Sequence, residues 1–182
     1  MNMRFWHVAA AATLAAAALV GCGSDGRDGQ AGPTPAPAPA QSPVPSPGST
    51  VEGTWTTQPF GRTAITATLT AAGLGQHADQ FFKIDQTPDD LVISLRIEAG
   101  QWTAYRAAGT KVFRVNDRGT YTVEGGTLLY RPNSGGLNTY RWSVTGDQLT
   151  LTFVSTTEPE YEGIPNDVFQ RAFYTTVSFH RD

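Results

Sequence analysis

The chain contains little cysteine, little histidine and no excess of positive charge. Cys22 is the only cysteine among 182 residues, and the formal net charge at pH 7 is −3. A single cysteine excludes a disulfide within the chain and any multi-cysteine metal site. The charge balance gives no sign of a nucleic-acid-binding surface. His77 and His180 do not form the His-x-x-x-His spacing of a zinc-binding helix.

Long apolar runs are also scarce, and the longest stands near the first residue. Arg4 precedes a run of small and apolar residues from Val8 to Val20. A run of this length suits the core of a signal peptide, whereas a membrane-spanning helix needs about 20 apolar residues. We therefore predict a signal peptide over residues 1–21.

The end of this run, Leu19-Val20-Gly21-Cys22, resembles the lipobox of bacterial lipoproteins. The resemblance implies that diacylglycerol is attached to the Cys22 thiol and that the signal peptide is cleaved just before it. We therefore expect an extracytoplasmic protein with a lipid anchor in the membrane. Gly23-Ser24 lacks the aspartate that marks inner-membrane retention, which favours the outer membrane if the envelope has two.

Residues 22–50 are rich in glycine and proline and contain few bulky apolar side chains. We predict a disordered tether that begins at the lipidated cysteine. Prolines recur from Pro33 to Pro47, which favours polyproline II at about 3.1 Å per residue. This part of the tether then reaches roughly 45 Å.

Residues 51–182 show the patterning of a single all-β domain. Leu91, Ile93, Leu95 and Ile97 alternate with other residues, as in a strand with one buried face. A short repeat places a glycine-containing turn between a β-branched and a large apolar residue, at residues 97–102, 123–128 and 144–149. We predict strands near 52–60, 91–97, 101–106, 111–115, 118–123, 127–131, 138–144, 148–155 and 171–180.

Consecutive antiparallel strands of this number can close into a small up-and-down barrel, which removes exposed sheet edges. A β-sandwich is the alternative. The stretch 62–82 is ambiguous: Ile65, Ala67 and Leu69 alternate as in a strand, while residues 71–74 and 78–82 favour helical turns. We expect a short helical cap over one mouth of the barrel.

Three segments are similar to lipocalin-like barrel domains of bacteria. Gly53-Thr54-Trp55 resembles the Gly-x-Trp signature of lipocalins, and residues 119–123 and 140–147 resemble later strands of such domains. The resemblance implies a calycin-type barrel in which the signature tryptophan packs under an arginine near the last strand, either Arg171 or Arg181. There is no convincing second lipocalin motif around residues 138–140 and no disulfide, so the resemblance supports a calycin-type barrel more firmly than membership of the true lipocalins.

Large aromatic residues fall at the alternate positions that we assign to the barrel interior. A small eight-stranded barrel is either filled by side chains or holds one small ligand. Arg171 shares the inward parity, so we expect it to stack on Trp55 or to meet an acidic group of a ligand. The candidate ligand-binding residues are Trp55, Trp102, Tyr121, Tyr140, Trp142, Phe153 and Arg171.

The acidic residues give weaker signals. Asp85, Asp89 and Asp90 favour a polar turn over a calcium site, because the EF-hand spacing is missing. Glu158, Glu160 and Glu162 alternate in a loop, which is typical of a solvated surface; a loose cation site is the alternative.

The function that these patterns favour is a non-enzymatic binding module, anchored in the envelope, that holds a small apolar or amphipathic molecule. The alternative is a structural or protein-interaction module with a filled barrel, which contacts its partner through the loops 131–136 and 156–167. No nucleophile elbow or phosphate-binding loop is present in the sequence. We therefore predict no catalytic activity, no cofactor and no metal, and we expect a monomer.

The lipid anchor is directly testable. Cys22→Ala removes the acylation site and leaves every residue of the predicted barrel intact. Wild-type protein should enter the detergent phase on phase separation and incorporate labelled palmitate. The variant should incorporate none, and should either keep its signal peptide or appear in the aqueous phase. Equal labelling of both proteins would contradict the assignment of Cys22.

Overall fold

The computed structural model describes residues 50–109 and 113–182. The predicted signal peptide, Cys22 and the tether up to residue 49 lie outside the described residues. The strands within the described residues are β1 (Gly53–Thr57), β2 (Leu91–Glu98), β3 (Gln101–Ala108), β4 (Arg114–Glu124), β5 (Thr127–Pro132), β6 (Asn138–Thr145), β7 (Gln148–Thr156) and β8 (Phe179–Arg181). The helices are α1 (Arg62–Ala71), α2 (Ala78–Asp85) and α3 (Asn166–Tyr174), with a 3₁₀ turn at Gly75–His77.

Each strand pairs antiparallel with the next, and β8 pairs with β1, so the eight strands form a closed barrel in the order of the chain. The predicted up-and-down barrel is therefore confirmed, and the sandwich alternative is wrong. The predicted hairpin turns are also present as two-residue connections between β2 and β3, β4 and β5, and β6 and β7. In the first of them Ala99 and Gly100 both have positive φ, 48° and 76°, as a type I′ turn requires.

The barrel has two unlike ends. The three two-residue hairpins, the start of β1 and the C-terminal residue of β8 share one end, which we call the turn end. The connections that carry the helices leave from the opposite end, the helix end. There α1 and α2 link β1 to β2, and α3 follows β7.

The expected helical cap is confirmed by α1 and α2. The alternation of Ile65 and Leu69 with threonines is helical, since the two residues lie four positions apart on one buried face of α1. From α2, the Phe81 ring packs against Phe169 and Phe173 of α3, with ring centroids 5.3 and 5.7 Å apart. Apolar packing thus joins the three helices at one end of the barrel.

The ninth predicted strand, 171–180, is wrong. Residues 166–174 form α3, and only Phe179–Arg181 is a strand. Val168 and Ala172 are fully buried at a spacing of four, and Phe173 beside them is 7% exposed, so the apolar residues follow a helical face. The helix begins directly after Pro165, a residue that is well tolerated at helix starts.

The predicted strands 111–115 and 118–123 also need correction. Residues 111 and 112 lie outside the described residues, and β4 continues unbroken through Asn116 and Asp117. An irregularity in its pairing with β3, between Ala104 and Tyr105, absorbs one extra residue of β4. Such a bulge bends the strand without ending it. Asp117 lies on the regular side of this bulge and shares the inward face of Gly119 and Tyr121.

Gly119 leaves no room for a side chain between β4 and β5. A Cβ atom at this position would lie 1.9 Å from the carbonyl oxygen of Arg131 on β5. Gly119→Ala should therefore force β4 and β5 apart and lower the free energy of unfolding by about 3 kcal/mol, the upper end for overpacking. Urea denaturation would measure this loss.

Gly146→Ala is the control, because a Cβ there meets open space and only the positive φ of 60° is unfavourable. It should cost about 1 kcal/mol. Equal losses in the two variants would show that the approach of Arg131 does not constrain β4.

Candidate ligand site inside the barrel

The tryptophan of the Gly-x-Trp segment lies under an arginine of the last strand. The Arg181 guanidinium is 4.1 Å from the centre of the Trp55 ring, and the indole N–H donates to the carbonyl of Val51 at 2.8 Å. Gly53 makes room for this contact, since a Cβ there would lie 2.7 Å from Arg181 Nη1. Of the two arginines proposed for this position, Arg181 occupies it. Trp55 therefore helps to hold β1 against β8, where the barrel closes.

Arg171 does not contact Trp55, and its predicted inward place on a strand is wrong because it lies on α3. Its guanidinium stands over the ring of Phe153, 4.7 Å from the ring centre, and its Nε lies 4.0 Å from Asp167 Oδ2. Arg171 and Phe153 share a surface groove of about 460 Å³ with Glu158 and Asn166. Arg171 is thus placed at the outer side of α3, whereas Phe153 also belongs to the barrel core and contacts the ring of Tyr140, with centroids 6.0 Å apart.

Tyr121 and Trp142 lie together at the turn end. With Val51 and Glu52 they line a groove of about 470 Å³. The Tyr121 hydroxyl donates to Glu52 Oε1 at 2.6 Å. Burial and the neighbouring Glu52 carboxylate raise the pKa of Tyr121 to about 12. This groove is separate from the region where the remaining candidates meet.

Trp102 and Tyr140 meet in the interior, together with two tyrosines that the sequence analysis did not select. The Trp102 ring stacks on Tyr130 with centroids 4.8 Å apart and lies parallel to Tyr140 at 6.4 Å. Tyr174 of α3 contacts Trp102 edge-on at 5.6 Å. All four side chains are 2% exposed or less. The inward face of the barrel and α3 therefore build one aromatic cluster.

Polar side chains border these rings on the side of β6 and α3. The Tyr140 hydroxyl donates to Gln170 Oε1 at 2.5 Å, and Gln170 Nε2 donates to Glu158 Oε1 at 3.2 Å. Asn138 Nδ2 donates to the same Glu158 oxygen, and Asn166 Nδ2 donates to the other at 3.4 Å. We call the aromatic rings and their polar neighbours the inner polar cluster; its members are Trp102, Asp117, Tyr130, Asn138, Tyr140, Glu158, Gln170 and Tyr174.

Several buried polar atoms of this cluster have no hydrogen-bond partner. Trp102 Nε1 and Asn138 Oδ1 are both unpaired, and both residues are fully buried. The Tyr130 hydroxyl interacts with the Asp117 carboxyl but makes no hydrogen bond of good geometry. An unsatisfied buried donor or acceptor costs about 1–3 kcal/mol, so native proteins rarely retain one without a reason.

The electrostatics of the cluster are set by its two carboxyl groups. Burial raises the pKa of Asp117, against the opposing effects of the Tyr130 hydroxyl and the Arg118 backbone N–H. Burial, and the charge of Asp117, also raise the pKa of Glu158, which the amides of Asn138 and Asn166 only partly offset. The pKa values of Tyr130, Tyr140 and Tyr174 are raised as well, in each case mainly by burial.

The residues that sequence reasoning missed stood in segments that we interpreted differently. Asp117 fell in the gap between two predicted strands. Because β4 is one continuous strand, Asp117 lies an even number of positions from Tyr121 and therefore faces inward as Tyr121 does. Glu158 was interpreted as part of a solvated loop, but it is half-buried and accepts three amide donors. Asp85, interpreted as part of a polar turn, ends α2 and pairs with Arg106 at 2.7 Å.

Within residues 50–109 and 113–182, no three His, Cys, Asp or Glu side chains are grouped to hold a metal ion. The same residues contain no helix that is both long enough and apolar enough to cross a membrane. The chain matches no protein-family model, no curated protein and no solved structure.

The raised pKa of Asp117 predicts a stability effect with a definite sign. The folded protein holds the Asp117 proton more tightly than the unfolded chain, whose pKa is near 3.8. The free energy of unfolding therefore falls as the pH rises from 3.8 to the pKa that Asp117 has in the folded protein. It stays lower at every higher pH. Asp117→Asn, which cannot ionise, should melt a few degrees higher than wild type at pH 7.

The advantage of this variant should vanish below pH 3.8. Thermal denaturation at several pH values measures both effects. The exposed Asp147 provides a matched control, because Asp147→Asn should leave the melting temperature unchanged. A lower melting temperature for Asp117→Asn at every pH would mean that hydrogen bonding, and not burial, governs this carboxyl group.

Proposed function

We propose that this protein is a lipid-anchored envelope protein whose barrel binds one small amphipathic molecule at the inner polar cluster. The observation that carries the proposal is the pair of unpaired atoms Trp102 Nε1 and Asn138 Oδ1, buried among aromatic rings. A bound molecule with one acceptor and one donor would satisfy both. Binding sites of this kind combine apolar and aromatic walls with a few placed polar groups.

The rings of Trp102, Tyr130 and Tyr140 supply the apolar walls. They stand on three different strands, whose inward faces converge here. Aromatic rings offer large flat surfaces to the apolar part of a ligand, and the Tyr140 hydroxyl adds a polar edge next to Gln170. The cluster thus matches an amphipathic molecule better than a purely apolar one.

Access to this cluster involves α3. Gln170 and Tyr174 reach the cluster from this helix, which the segments 157–165 and 175–178 connect to β7 and β8. A displacement of α3 would withdraw both side chains and open space beside Trp102 and Tyr140. In our proposal α3 is the element that closes over the bound molecule.

The membrane anchor rests on the sequence of residues 1–22. If Cys22 is acylated, the tether holds the barrel within reach of a membrane surface. An amphipathic ligand would then be taken from, or delivered to, the adjoining lipid layer. The anchor and the ligand are independent parts of the proposal and have separate tests.

A second candidate is a filled barrel that acts as an interaction module in the envelope. The close ring contacts of Trp102 with Tyr130 and Tyr174 favour it, because side chains already occupy the space around the indole. In that case a partner would bind the loops at the helix end, where Tyr161 is 53% exposed.

Native mass spectrometry of the full chain, released from a neutral detergent, separates the two candidates. A screen of fatty acids, lysolipids, sterols and small aromatic amphiphiles should yield a complex with one bound molecule. Tyr140→Phe removes one hydroxyl and keeps the ring, while Trp102→Phe removes the indole N–H and leaves a smaller aromatic ring in its place. Each should weaken binding about five- to tenfold, the effect of one lost hydrogen bond.

The matched control is Tyr161→Phe, which removes a hydroxyl from an exposed ring and should leave binding unchanged. Failure of every ligand class to bind would reject the binding function and favour the filled barrel. Equal losses in the control and in the two interior variants would place the ligand outside the inner polar cluster.

A further inference from the structure

The inner polar cluster contains two carboxyl groups that take no part in the ion pairs of the described residues, which join other acids. Asp117 comes from β4 and Glu158 from the loop after β7, and the charge of Asp117 acts on Glu158. The ion pairs among residues 50–109 and 113–182 involve other acids: Glu98, Asp85 and Asp167. Neither Asp117 nor Glu158 belongs to these ion pairs, and the two carboxyl groups lie close enough for the charge of Asp117 to act on Glu158.

The nearby arginines are held by other partners. Arg106 binds Asp85 through two hydrogen bonds of 2.7 and 2.8 Å and stands over the Phe173 ring at 5.2 Å. Arg171 lies over Phe153 with its Nε 4.0 Å from Asp167 Oδ2, and it lines the same outer groove as Glu158 without forming an ion pair with it. A bidentate arginine–carboxylate pair is geometrically specific, so Arg106 stays paired with Asp85, although its charge also acts on Tyr174 of the cluster.

Unused acceptors are also present beside the two carboxyl groups. The amide of Asn138 donates to Glu158, and the Oδ1 of the same amide is buried without a donor. On the other side of the cluster, the Tyr130 hydroxyl oxygen lies next to Asp117. An ammonium group is purely a donor, with up to three N–H bonds, and so complements this set.

Aromatic rings complete the surroundings. Trp102, Tyr130, Tyr140 and Tyr174 meet here, and the face of an aromatic ring, tryptophan above all, attracts a cation within about 6 Å. Together with the carboxylates, these faces favour an organic cation with a carbon body. A bare metal ion would need more ligating side chains than the described residues group at one point.

We infer that the molecule bound at the inner polar cluster is an organic amine whose ammonium group meets Asp117 and Glu158. Its body packs against the aromatic rings, and a hydroxyl or carbonyl oxygen accepts the hydrogen bond of Trp102 Nε1. This inference rests on the proposed binding function and specifies the ligand class.

Three probes that differ only at one end test the inference: tyramine, the neutral alcohol tyrosol and the anion 4-hydroxyphenylacetate. Isothermal titration calorimetry of the full chain in a neutral detergent should show tyramine binding at least tenfold more tightly than tyrosol, and no binding of the anion. Asp117→Asn removes one negative charge at constant shape and should lower the affinity for tyramine about tenfold. The affinity for tyrosol should not change.

Glu160→Gln is the matched control, because Glu160 is an exposed acid of the same loop as Glu158. It should leave tyramine binding as in the wild type. An equal loss in Glu160→Gln and Asp117→Asn would overturn the inference, since a general surface potential would then explain the preference.

The remaining outcomes separate the ligand class from the binding function. If tyrosol or the anion binds as tightly as tyramine, the assignment of an amine ligand is wrong and the binding function stands. The same conclusion follows if a neutral or acidic lipid from the mass-spectrometric screen binds while tyramine does not. If neither these probes nor any screened molecule binds, both are wrong.

Discussion

The barrel depends on a closure made by three residues. Strand β8 (Phe179–Arg181) pairs with both β1 and β7, and without it the sheet would have two free edges. Backbone pairing over so short a length is weak, and the Arg181–Trp55 contact adds a side-chain interaction at the same place. Beyond β8 the helix α3 packs along β7 and against α1. The interior can therefore hold buried polar groups only as long as this seam keeps water out.

The inner polar cluster lowers the stability of the folded barrel. Buried carboxyl groups and unpaired amide and indole atoms all oppose folding, and the apolar half of the interior, with residues such as Ile97, Leu128 and Leu149, compensates for them. A protein that needed only a stable barrel would gain by replacing Asp117 with an apolar residue. Polar groups retained in spite of their cost are a common property of sites that bind ligands, because stability and function often oppose each other.

Much of the fold could be predicted from the sequence, because hairpin turns and alternation are local signals. The three glycine turns and the alternation from Leu91 to Ile97 identified neighbouring strands directly. The segment of α3 could not be identified in this way, since Phe173, Val177 and Phe179 also fit a period of two. The inward aromatic residues were predicted correctly, but Asp117 and Glu158 were not. Asp117 fell between two predicted strands that are one continuous strand, and Glu158 lies in a loop that folds back; tertiary contacts set both arrangements.

The order of the strands has a consequence for how the barrel forms and opens. Seven of the eight strand pairs join strands that follow each other in the chain, and only β1 and β8 are distant, with Glu52 and Arg181 separated by 129 positions. Contacts between distant segments carry the largest loop-closure entropy and form late in folding. We therefore expect the amide protons of β1 and β8 to exchange with solvent before those of β2 to β7. Because α3 lies against β7 and α1, a partial opening at this seam would also loosen the helix that covers the inner polar cluster.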